Sequence, residues 1–302
     1  MPIQLPPLTR RTFLGAAASV GAAAAGVAFA SRSALAAPKL DPHRFALFSD
    51  THIAGDKALV KNNVHLSKNL ETVVADVLKC DPLPANLLVN GDLALLTGQS
   101  ADYATFLELI TPIRQAGIAI HLLLGNHDDR ANFWKAAPAA EKKPIEERHV
   151  AILETPRANF FLLDTLDQVN KTPGVVGENQ LAWLSRELDS RANRPAIVFT
   201  HHHPENLVKV AGITDVEALN KVLDERRQVK AHFFGHTHVW LTAERQGIQR
   251  VNLPPVAYVF TPGKPNGWVD LQLREDGMTV ELRSVDPKHA DHGQKKDLAW
   301  RK

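Results

Sequence analysis

The sequence predicts a layered α/β protein, and three observations lead to this fold class. Short apolar runs typical of strands alternate with longer segments of helical period. Five of the predicted strands end in side chains that commonly bind metal ions. Residues 39–285 contain no internal repeat, low-complexity tract or linker, so we expect them to form one domain.

The predicted elements follow one another in a regular order. "RFALFSD", "NLLVNGD" and "IAIHLLLGN" are predicted strands, separated by the predicted helices "NLETVVADVLKC" and "ADYATFLELITPIRQ". "HVAILET" and "NFFLLDT" predict a hairpin, and "ENQLAWLSRELDSR" predicts an amphipathic helix. The strand "AIVFTHH", the helix "DVEALNKVLDERR" and the strand "KAHFFGH" come next, before a closing set of β segments through "MTVELRSV". Residues 286–302 are predicted to be a charged, mostly featureless C-terminal tail.

The composition is that of an ordinary globular protein. The chain has 302 residues, of which 44% are hydrophobic and 23% charged. Its 35 basic residues exceed its 33 acidic ones, but three arginines and no acid lie within residues 1–36. The rest is near neutral and has no dense Lys/Arg stripe with interleaved aromatics, so no nucleic-acid partner is expected. Cys80 is the single cysteine, which excludes an intramolecular disulfide, and we interpret it as a packed thiol.

Residues 1–36 have the features of an export signal. Arg10 and Arg11 stand before a weakly apolar run rich in alanine and glycine, and "ALA" at 34–36 offers a small-residue cleavage site. A membrane anchor is the alternative, but the apolar run is shorter and milder than the roughly 20 strongly apolar residues of a spanning helix. The segment resembles bacterial twin-arginine signals. That resemblance implies the twin-arginine export machinery as a partner, a periplasmic or secreted location, and no stable membrane insertion of the mature chain.

The ends of five predicted strands carry the candidate functional residues. In an open α/β sheet the carboxyl ends of the strands lie along one rim, so residues distant in sequence meet there. At a strand end, positions i and i+2 point to the same side. The glycines at 91, 125 and 235 precede three of these groups and allow sharp turns. The candidates are Asp50, His52, Asp92, Asn126, His127, Asp128, His201, His202, His203, His236 and His238.

Carboxylate, imidazole and amide ligands without a thiolate favour borderline ions such as Mn, Fe(II), Zn or Co. There are too many candidates for one tetrahedral ion. They suit two divalent metal ions that share a bridging carboxylate, roughly 3.5 to 4 Å apart.

The ordered motifs DTH, GD, GNHD, HHHP and GHTH resemble those of the calcineurin-like metallophosphoesterases over nearly the whole mature chain. "GENQLAWLSREL" resembles a further pattern of that family, and "PNGWVDLQL" is similar to a late segment of the class III cyclic-nucleotide phosphodiesterases. The fold that this resemblance implies is a four-layer α/β/β/α sandwich of two mixed β-sheets.

The resemblance also implies a role for each site residue. One metal takes Asp50, His52 and His238, the other takes Asn126, His201 and His236, and Asp92 bridges them. His127 is expected to protonate the leaving alkoxide or to hydrogen-bond the phosphate. Asp128 either orients His127 or is an exposed helix cap, and these two readings stay open. Because His201 directly follows the apolar strand, His202 and His203 are expected to lie outside the set of ligands.

The residues around the motifs narrow the expected activity. Leu95 stands where the related purple acid phosphatases have a tyrosine, and His127 stands where the lipid A pathway hydrolases have an arginine. We therefore expect hydrolysis of small phosphodiesters by a hydroxide that bridges the two metals, with phosphomonoesters as the alternative substrate. The alternative of another class is a metal-binding scaffold protein that has lost turnover.

Three further histidines have a structural interpretation. His121, within a strand, is predicted to be a satisfied core histidine, and His232 lies too far from the rim to bind a metal. His65 follows the first motif in a polar stretch, where a solvated loop is the simpler reading and substrate contact the alternative.

Overall fold

A computed structural model describes residues 4–5, 38–137, 144–204 and 211–302. The predicted export signal therefore lies outside the described residues apart from 4–5. No helix among the described residues has the length and apolarity needed to cross a membrane.

Fifteen strands and six helices occupy the described part of the chain. The strands are β1 (Gln4–Leu5), β2 (Leu40–Phe48), β3 (Val60–Lys61), β4 (Val64–His65), β5 (Leu83–Asn90), β6 (Ala119–Leu123), β7 (Ala151–Glu154), β8 (Asn159–Leu162), β9 (Ala196–Phe199), β10 (Val229–Phe234), β11 (Leu241–Arg245), β12 (Ile248–Asn252), β13 (Gly267–Leu273), β14 (Gly277–Ser284) and β15 (Lys295–Ala299). The helices are α1 (Leu66–Val77), α2 (Ser100–Leu109), α3 (Thr111–Gln115), α4 (Arg130–Ala136), α5 (Glu178–Asp189) and α6 (Val216–Asp224).

The strands form two mixed sheets and a small hairpin. The first sheet has the order β1-β6-β5-β2-β13-β14-β15, with β2, β5 and β6 parallel and the other pairs antiparallel. The second has the order β11-β12-β10-β9-β8-β7, with parallel pairing from β12 to β8 and antiparallel edges. β3 and β4 pair only with each other. The predicted hairpin of "HVAILET" and "NFFLLDT" is confirmed as β7 and β8.

Strand β2 shows why the sheets are covered on both faces. Its residues alternate, so Phe45 and Leu47 face the second sheet while Ala46 and Phe48 face the helices, and all four are fully buried. The core between the sheets contains a row of stacked rings. Successive ring centroids lie 4.6, 5.8 and 4.8 Å apart along the series Phe45, Phe160, Phe199 and Phe233.

Helices cover the outer face of each sheet. α1 and α2 bury Val73 and Phe106 against the first sheet. α5 and α6 bury Trp183 and Leu219 against the second. The expected four-layer α/β/β/α sandwich is confirmed.

The end of the chain differs from the expected featureless tail. Lys295–Ala299 is strand β15, which pairs antiparallel with β14 at the edge of the first sheet. Alternating exposure and charged side chains, which are typical of an edge strand, hid this element from an analysis based on apolar runs.

Candidate metal centre

The five predicted strand ends meet at one edge of the sandwich. β2, β5 and β6 bring the first three motifs from one sheet, and β9 and β10 bring the other two from the second sheet. The two sheets are joined at this edge, because the Asn90 side chain donates to the Thr200 carbonyl at 2.9 Å. All seven predicted ligands are at least 93% buried, and they are Asp50, His52, Asp92, Asn126, His201, His236 and His238.

The backbone at these positions is left-handed rather than extended. Five of the seven predicted ligands have positive φ: Asp50 (52°), His52 (47°), Asp92 (49°), His236 (68°) and His238 (56°). This conformation costs a residue with a Cβ about 1–3 kcal/mol, so the surrounding hydrogen bonds must hold it. Asp50 N donates to the Gly91 carbonyl at 3.1 Å, and His52 N donates to the Asp92 carbonyl at 3.0 Å. The pairs at i and i+2 therefore share a direction, but not because they continue a flat strand.

Two glycines allow the strand ends to approach each other. A Cβ at Gly125 would lie 2.2 Å from Asp92 Oδ1 and 2.7 Å from His201 Nε2. A Cβ at Gly235 would lie 2.1 Å from Ser49 Oγ and 2.7 Å from Asp50 Oδ2. Both sets of contacts are shorter than real side chains make, which explains two of the three glycines that the sequence analysis singled out.

The first group of candidate ligands consists of Asp50, His52 and His238. His52 Nε2 lies 3.1 Å from His238 Nε2, and Asp50 Oδ1 lies 3.4 Å from His238 Nε2 and 3.9 Å from His52 Nε2. Donor atoms that share one ion at bond lengths of about 2.0–2.2 Å are about 3–4 Å apart. These three atoms have that spacing.

The second group consists of Asp92, His201 and His236. His201 Nε2 lies 3.3 Å from Asp92 Oδ2, which itself lies 3.7 Å from His52 Nε2 in the first group. Asp92 is therefore placed between the two groups. Asn126 lies on the same edge, three residues after the end of β6, and its side chain is buried.

Unpartnered buried atoms indicate that the site is built for cations. Asp50 Oδ1, Asn126 Oδ1, His201 Nε2 and His236 Nε2 are buried without a hydrogen-bond partner. On the opposite side of two rings, His201 Nδ1 donates to the Asn90 carbonyl at 2.8 Å and His238 Nδ1 donates to the Tyr258 carbonyl at 2.5 Å. A ring that donates from Nδ1 presents the lone pair of Nε2 when it is neutral. The residues present thus fit divalent metal ions.

The electrostatics agree with this interpretation. Burial lowers the pKa of His52 and of His236 to about 3, so both rings are neutral near pH 7 and can act as ligands. Burial also opposes the charge of His201, but the carboxylates of Asp92 and Asp50 outweigh it and raise the pKa of His201 to about 10. Asp50 and Asp92 therefore stabilise a positive charge on the His201 ring, at a site that could bind a cation.

His127 stands at the edge of the site with its orientation fixed. Its Nδ1 donates to the Leu96 carbonyl at 2.9 Å, its ring lies 5.2 Å from that of His52, and its Nε2 lies 4.0 Å from Asp92 Oδ2. Because a carbonyl can only accept, Nε2 carries a proton only when the ring is charged. The ring is partly exposed, so a substrate can reach it.

Asp128 is not an exposed helix cap, which was one of the two roles that the sequence left open. Its carboxylate accepts from the backbone N–H groups of Leu93 (3.2 Å), Ala94 (3.1 Å) and Gly125 (2.8 Å), and no hydrogen bond joins it to the His127 ring. It is fully buried, and the cap of α4 is Asp129. Burial first, then the charge of Asp92, raises the pKa of Asp128 to about 7. Its backbone contacts make it a positioning residue for the turns around Asp92 and Asn126.

His121 and His232 have structural roles, as predicted from the sequence, and His65 caps a helix. His121 Nε2 pairs with Asn86 Oδ1 at 2.9 Å, and His232 Nε2 pairs with Thr200 Oγ1 at 2.9 Å. His65 is the N-cap of α1 and accepts from Lys68 N at 3.3 Å.

His202 and His203 are buried against the candidate ligands, although the sequence placed them outside the set. Their ring centroids lie 4.7 and 5.8 Å from that of His236, and His202 Nδ1 pairs with Thr165 Oγ1 at 2.8 Å. They line the side of the second ligand group.

Sequence reasoning missed the groups that support the ligands from behind. The backbone carbonyls of Asn90, Leu96 and Tyr258 orient three of the histidines. Every residue has a backbone carbonyl, so the sequence does not show which ones act as acceptors. Gln180 was noticed only as part of a resemblance. Its side chain satisfies the backbone N–H and C=O of Asp164, at 2.8 and 2.9 Å, and so fixes the loop after β8.

The two mixed sheets collect carboxylates, imidazoles and an amide at one edge, and this donor set suits divalent metal ions. The model of the calcineurin-like phosphoesterases matches residues 43–240. The chain belongs to this family.

Two relatives and one solved structure of the same fold illustrate the similarity. The chain is 27% identical to the 3′,5′-cyclic adenosine monophosphate phosphodiesterase CpdA of Escherichia coli (strain K12) over 256 residues, which cover 80% of this chain and 90% of that protein. It is 25% identical to a probable glycerophosphodiester phosphodiesterase GpdQ of Arcobacter nitrofigilis over 233 residues, which cover 76% and 80%. A dimetal phosphatase from Danio rerio has the same fold, with a TM-score of 0.66, 16% identity and coverage of 86% and 100%.

Proposed function

We propose that this protein hydrolyses small phosphodiesters with two divalent metal ions. The proposal rests on one observation. The seven predicted ligands are buried together at one edge of the two sheets, and several of their metal-binding atoms have no hydrogen-bond partner. Mn, Fe and Zn are all candidates for these ions, since the donor set suits each of them.

The ligands would divide between the two ions as the resemblance implies, and the distances support the first group and the bridging position of Asp92. Asp50, His52 and His238 would hold one ion, since their donor atoms lie 3.1–3.9 Å apart. Asn126, His201 and His236 would hold the other. Asp92 would bridge them, because Oδ2 lies 3.3 Å from His201 Nε2 and 3.7 Å from His52 Nε2.

Bound in this way, the two ions would neutralise the charge of the phosphate oxygens and lower the pKa of a water for in-line attack. The chain itself supplies orientation and a proton. His127 faces the site through Nε2 and, when its ring is charged, can donate the Nε2 proton to the departing alkoxide. The Leu96 carbonyl keeps that ring in place while the proton leaves.

Diesters are preferred to monoesters in this proposal. The similarity to proteins named as cyclic adenosine monophosphate and glycerophosphodiester phosphodiesterases supports this choice. Phosphomonoester hydrolysis on the same site is the second candidate, because nothing in the ligand set itself excludes a dianionic phosphate.

The experiment is an assay of the purified protein, stripped of metal and reloaded with Mn(II), on bis(p-nitrophenyl) phosphate and on p-nitrophenyl phosphate. We expect metal-dependent turnover of the diester at a higher kcat/KM. Preference for the monoester would overturn the choice of diesters. No turnover of either compound with Mn, Fe or Zn, together with stoichiometric metal binding, would instead support the scaffold protein.

We also propose export through the twin-arginine pathway to the periplasm or beyond. The paired Arg10 and Arg11 before a weakly apolar run support this location. Changing both to lysine should leave the protein unprocessed and inside the cell in a fractionation assay, while Arg32→Lys serves as the matched control. Normal export of the double variant would contradict the proposal.

A further inference from the structure

The loop between β12 and β13 brings two aromatic rings to the edge of the candidate metal centre. The Phe260 ring stacks on the His238 ring, with centroids 4.2 Å apart and planes at 19°. Phe260 is nevertheless 60% exposed, so one face covers a candidate ligand while the other faces solvent. Tyr258 is 8% exposed and stacks on His52 at 5.3 Å and 22°.

Hydrogen bonds on both sides fix this loop to the first motif. The backbone N–H groups of residues 256 and 257 donate to the carbonyls of Ser49 and Asp50, at 2.9 and 3.1 Å. The side-chain amides of Asn69 and Asn266 both donate to the carbonyls of residues 256 and 257, at 2.8–3.3 Å. The position of the two rings relative to the metal ligands is therefore set before any substrate arrives.

The exposure of Phe260 is unusual among the described residues. Large apolar side chains are exposed at four described positions, and two of them flank the candidate site: Phe260 beside His238, and Leu96, whose carbonyl holds His127. Leaving an aromatic face in water forfeits hydrophobic stabilisation that burial would provide. Because the ring is rigid and lies beside a metal site, its exposed face can bind part of a substrate.

We propose that Phe260, held against His238 and Tyr258, is a stacking platform for a planar aromatic group of the substrate. The preferred class is then a phosphodiester that carries an aryl ring or a nucleobase, and this inference rests on the proposed hydrolase function. One open, flat face suits a flat ring. A quaternary ammonium group, the other common partner of aromatic rings, is typically held in a cage of several aromatic faces, whereas Phe260 offers one open face.

The test compares ring-bearing with ring-free diesters for wild type, Phe260→Ala, Phe260→Leu and Phe260→Tyr. The ring-bearing probes are 3′,5′-cyclic adenosine monophosphate and bis(p-nitrophenyl) phosphate, and the ring-free probes are glycerophosphoglycerol and glycerophosphocholine. We expect the alanine and leucine variants to lose about 10-fold or more in kcat/KM on ring-bearing diesters, through KM, and the tyrosine variant to keep it. Ring-free diesters and metal content should be unchanged.

Three outcomes would overturn the platform without touching the hydrolase function. One is an equal loss on both classes together with a loss of metal, since Phe260 would then only shield His238. Another is a leucine variant as active as wild type, because an aliphatic side chain would suffice. The third is a wild-type protein that prefers ring-free diesters. A wild-type protein inactive on all four probes and on p-nitrophenyl phosphate with every metal would refute the hydrolase function itself.

Discussion

Replacing His127 by alanine tests whether this residue donates the proton to the leaving group. The ring faces the site through Nε2, which lies 4.0 Å from Asp92 Oδ2, and it is not one of the seven predicted ligands. Loss of a general acid lowers turnover about 10²- to 10⁴-fold, which is about 2.7–5.4 kcal/mol in the activation free energy. The lost hydrogen bond to Leu96 is on the partly exposed edge, so we expect the free energy of unfolding to change by only about 1 kcal/mol.

The decisive assay varies the leaving group. An alkyl diester releases an alkoxide that needs a proton, whereas a p-nitrophenyl diester releases an anion that is stable without one. The alanine variant should show the full loss on alkyl diesters and a loss below about 10-fold on the p-nitrophenyl compound. His127→Gln is the matched control, because it can hydrogen-bond the phosphate but cannot transfer a proton in this way. It should behave like the alanine variant on the alkyl diester.

Either of two results would refute the reasoning. Equal losses with both leaving groups would mean that His127 orients the phosphate instead of protonating the product. A fall in bound metal, measured by elemental analysis, would make His127 a ligand. That possibility has a structural basis, since His52, Asp92 and His127 also lie close enough to share an ion.

Three further changes follow from the same geometry. Gly125→Ala should abolish binding of at least one metal, because its Cβ would lie 2.2 Å from Asp92 Oδ1. Gly293→Ala has open space around it but a φ of 77° that strains a side chain, so it controls for backbone strain and should retain both metals. Unchanged metal content in the Gly125 variant would contradict the packing argument. Asp128→Ala should lower the free energy of unfolding by about 3 kcal/mol or more, since three backbone N–H groups lose their acceptor, and a normal melting temperature with reduced turnover would restore a catalytic role. Metal binding should release a proton, because His201, with a pKa raised to about 10, is charged at pH 7.5. The apparent metal affinity measured by calorimetric titration should then rise about tenfold per pH unit from pH 7 to 9. An affinity that does not change with pH would contradict the release of a proton from His201.

The sequence predicted the strands that bury both faces and missed an edge. Residues 45–48 form a continuous apolar run because two of them pack against the second sheet and two against the helices, and such runs can be recognised in the sequence. Strand β15 has one neighbour and mostly charged side chains, so its pairing with β14 depends on backbone hydrogen bonds that composition does not report.

The same distinction separates the predicted from the unpredicted parts of the site. Metal-binding side chains such as Asp92 and His201 have a chemistry that restricts residue type, so the motifs reveal them. The groups that orient them include carbonyls of residues as unlike as Leu96 and Tyr258, and any residue could supply these. Asp128 differs from these metal-binding residues, because its carboxylate, next to His127 in sequence, accepts hydrogen bonds from the backbone of the loop after β5.

The pair in "FFGHTHVW" shows how backbone conformation, not strand alternation, joins the two ligand groups. β10 ends at Phe234, and both His236 and His238 have left-handed φ, at 68° and 56°. Thr237 between them points away, and its hydroxyl accepts from the Asn252 side chain. Gly235 brings this turn against Asp50, while the backbone N–H of His236 donates to Asp50 Oδ2 at 3.1 Å. An inserted residue would therefore do more than rotate one ring: it would break the contact with Asp50 and require another unfavourable φ, so both groups of ligands would be disturbed together.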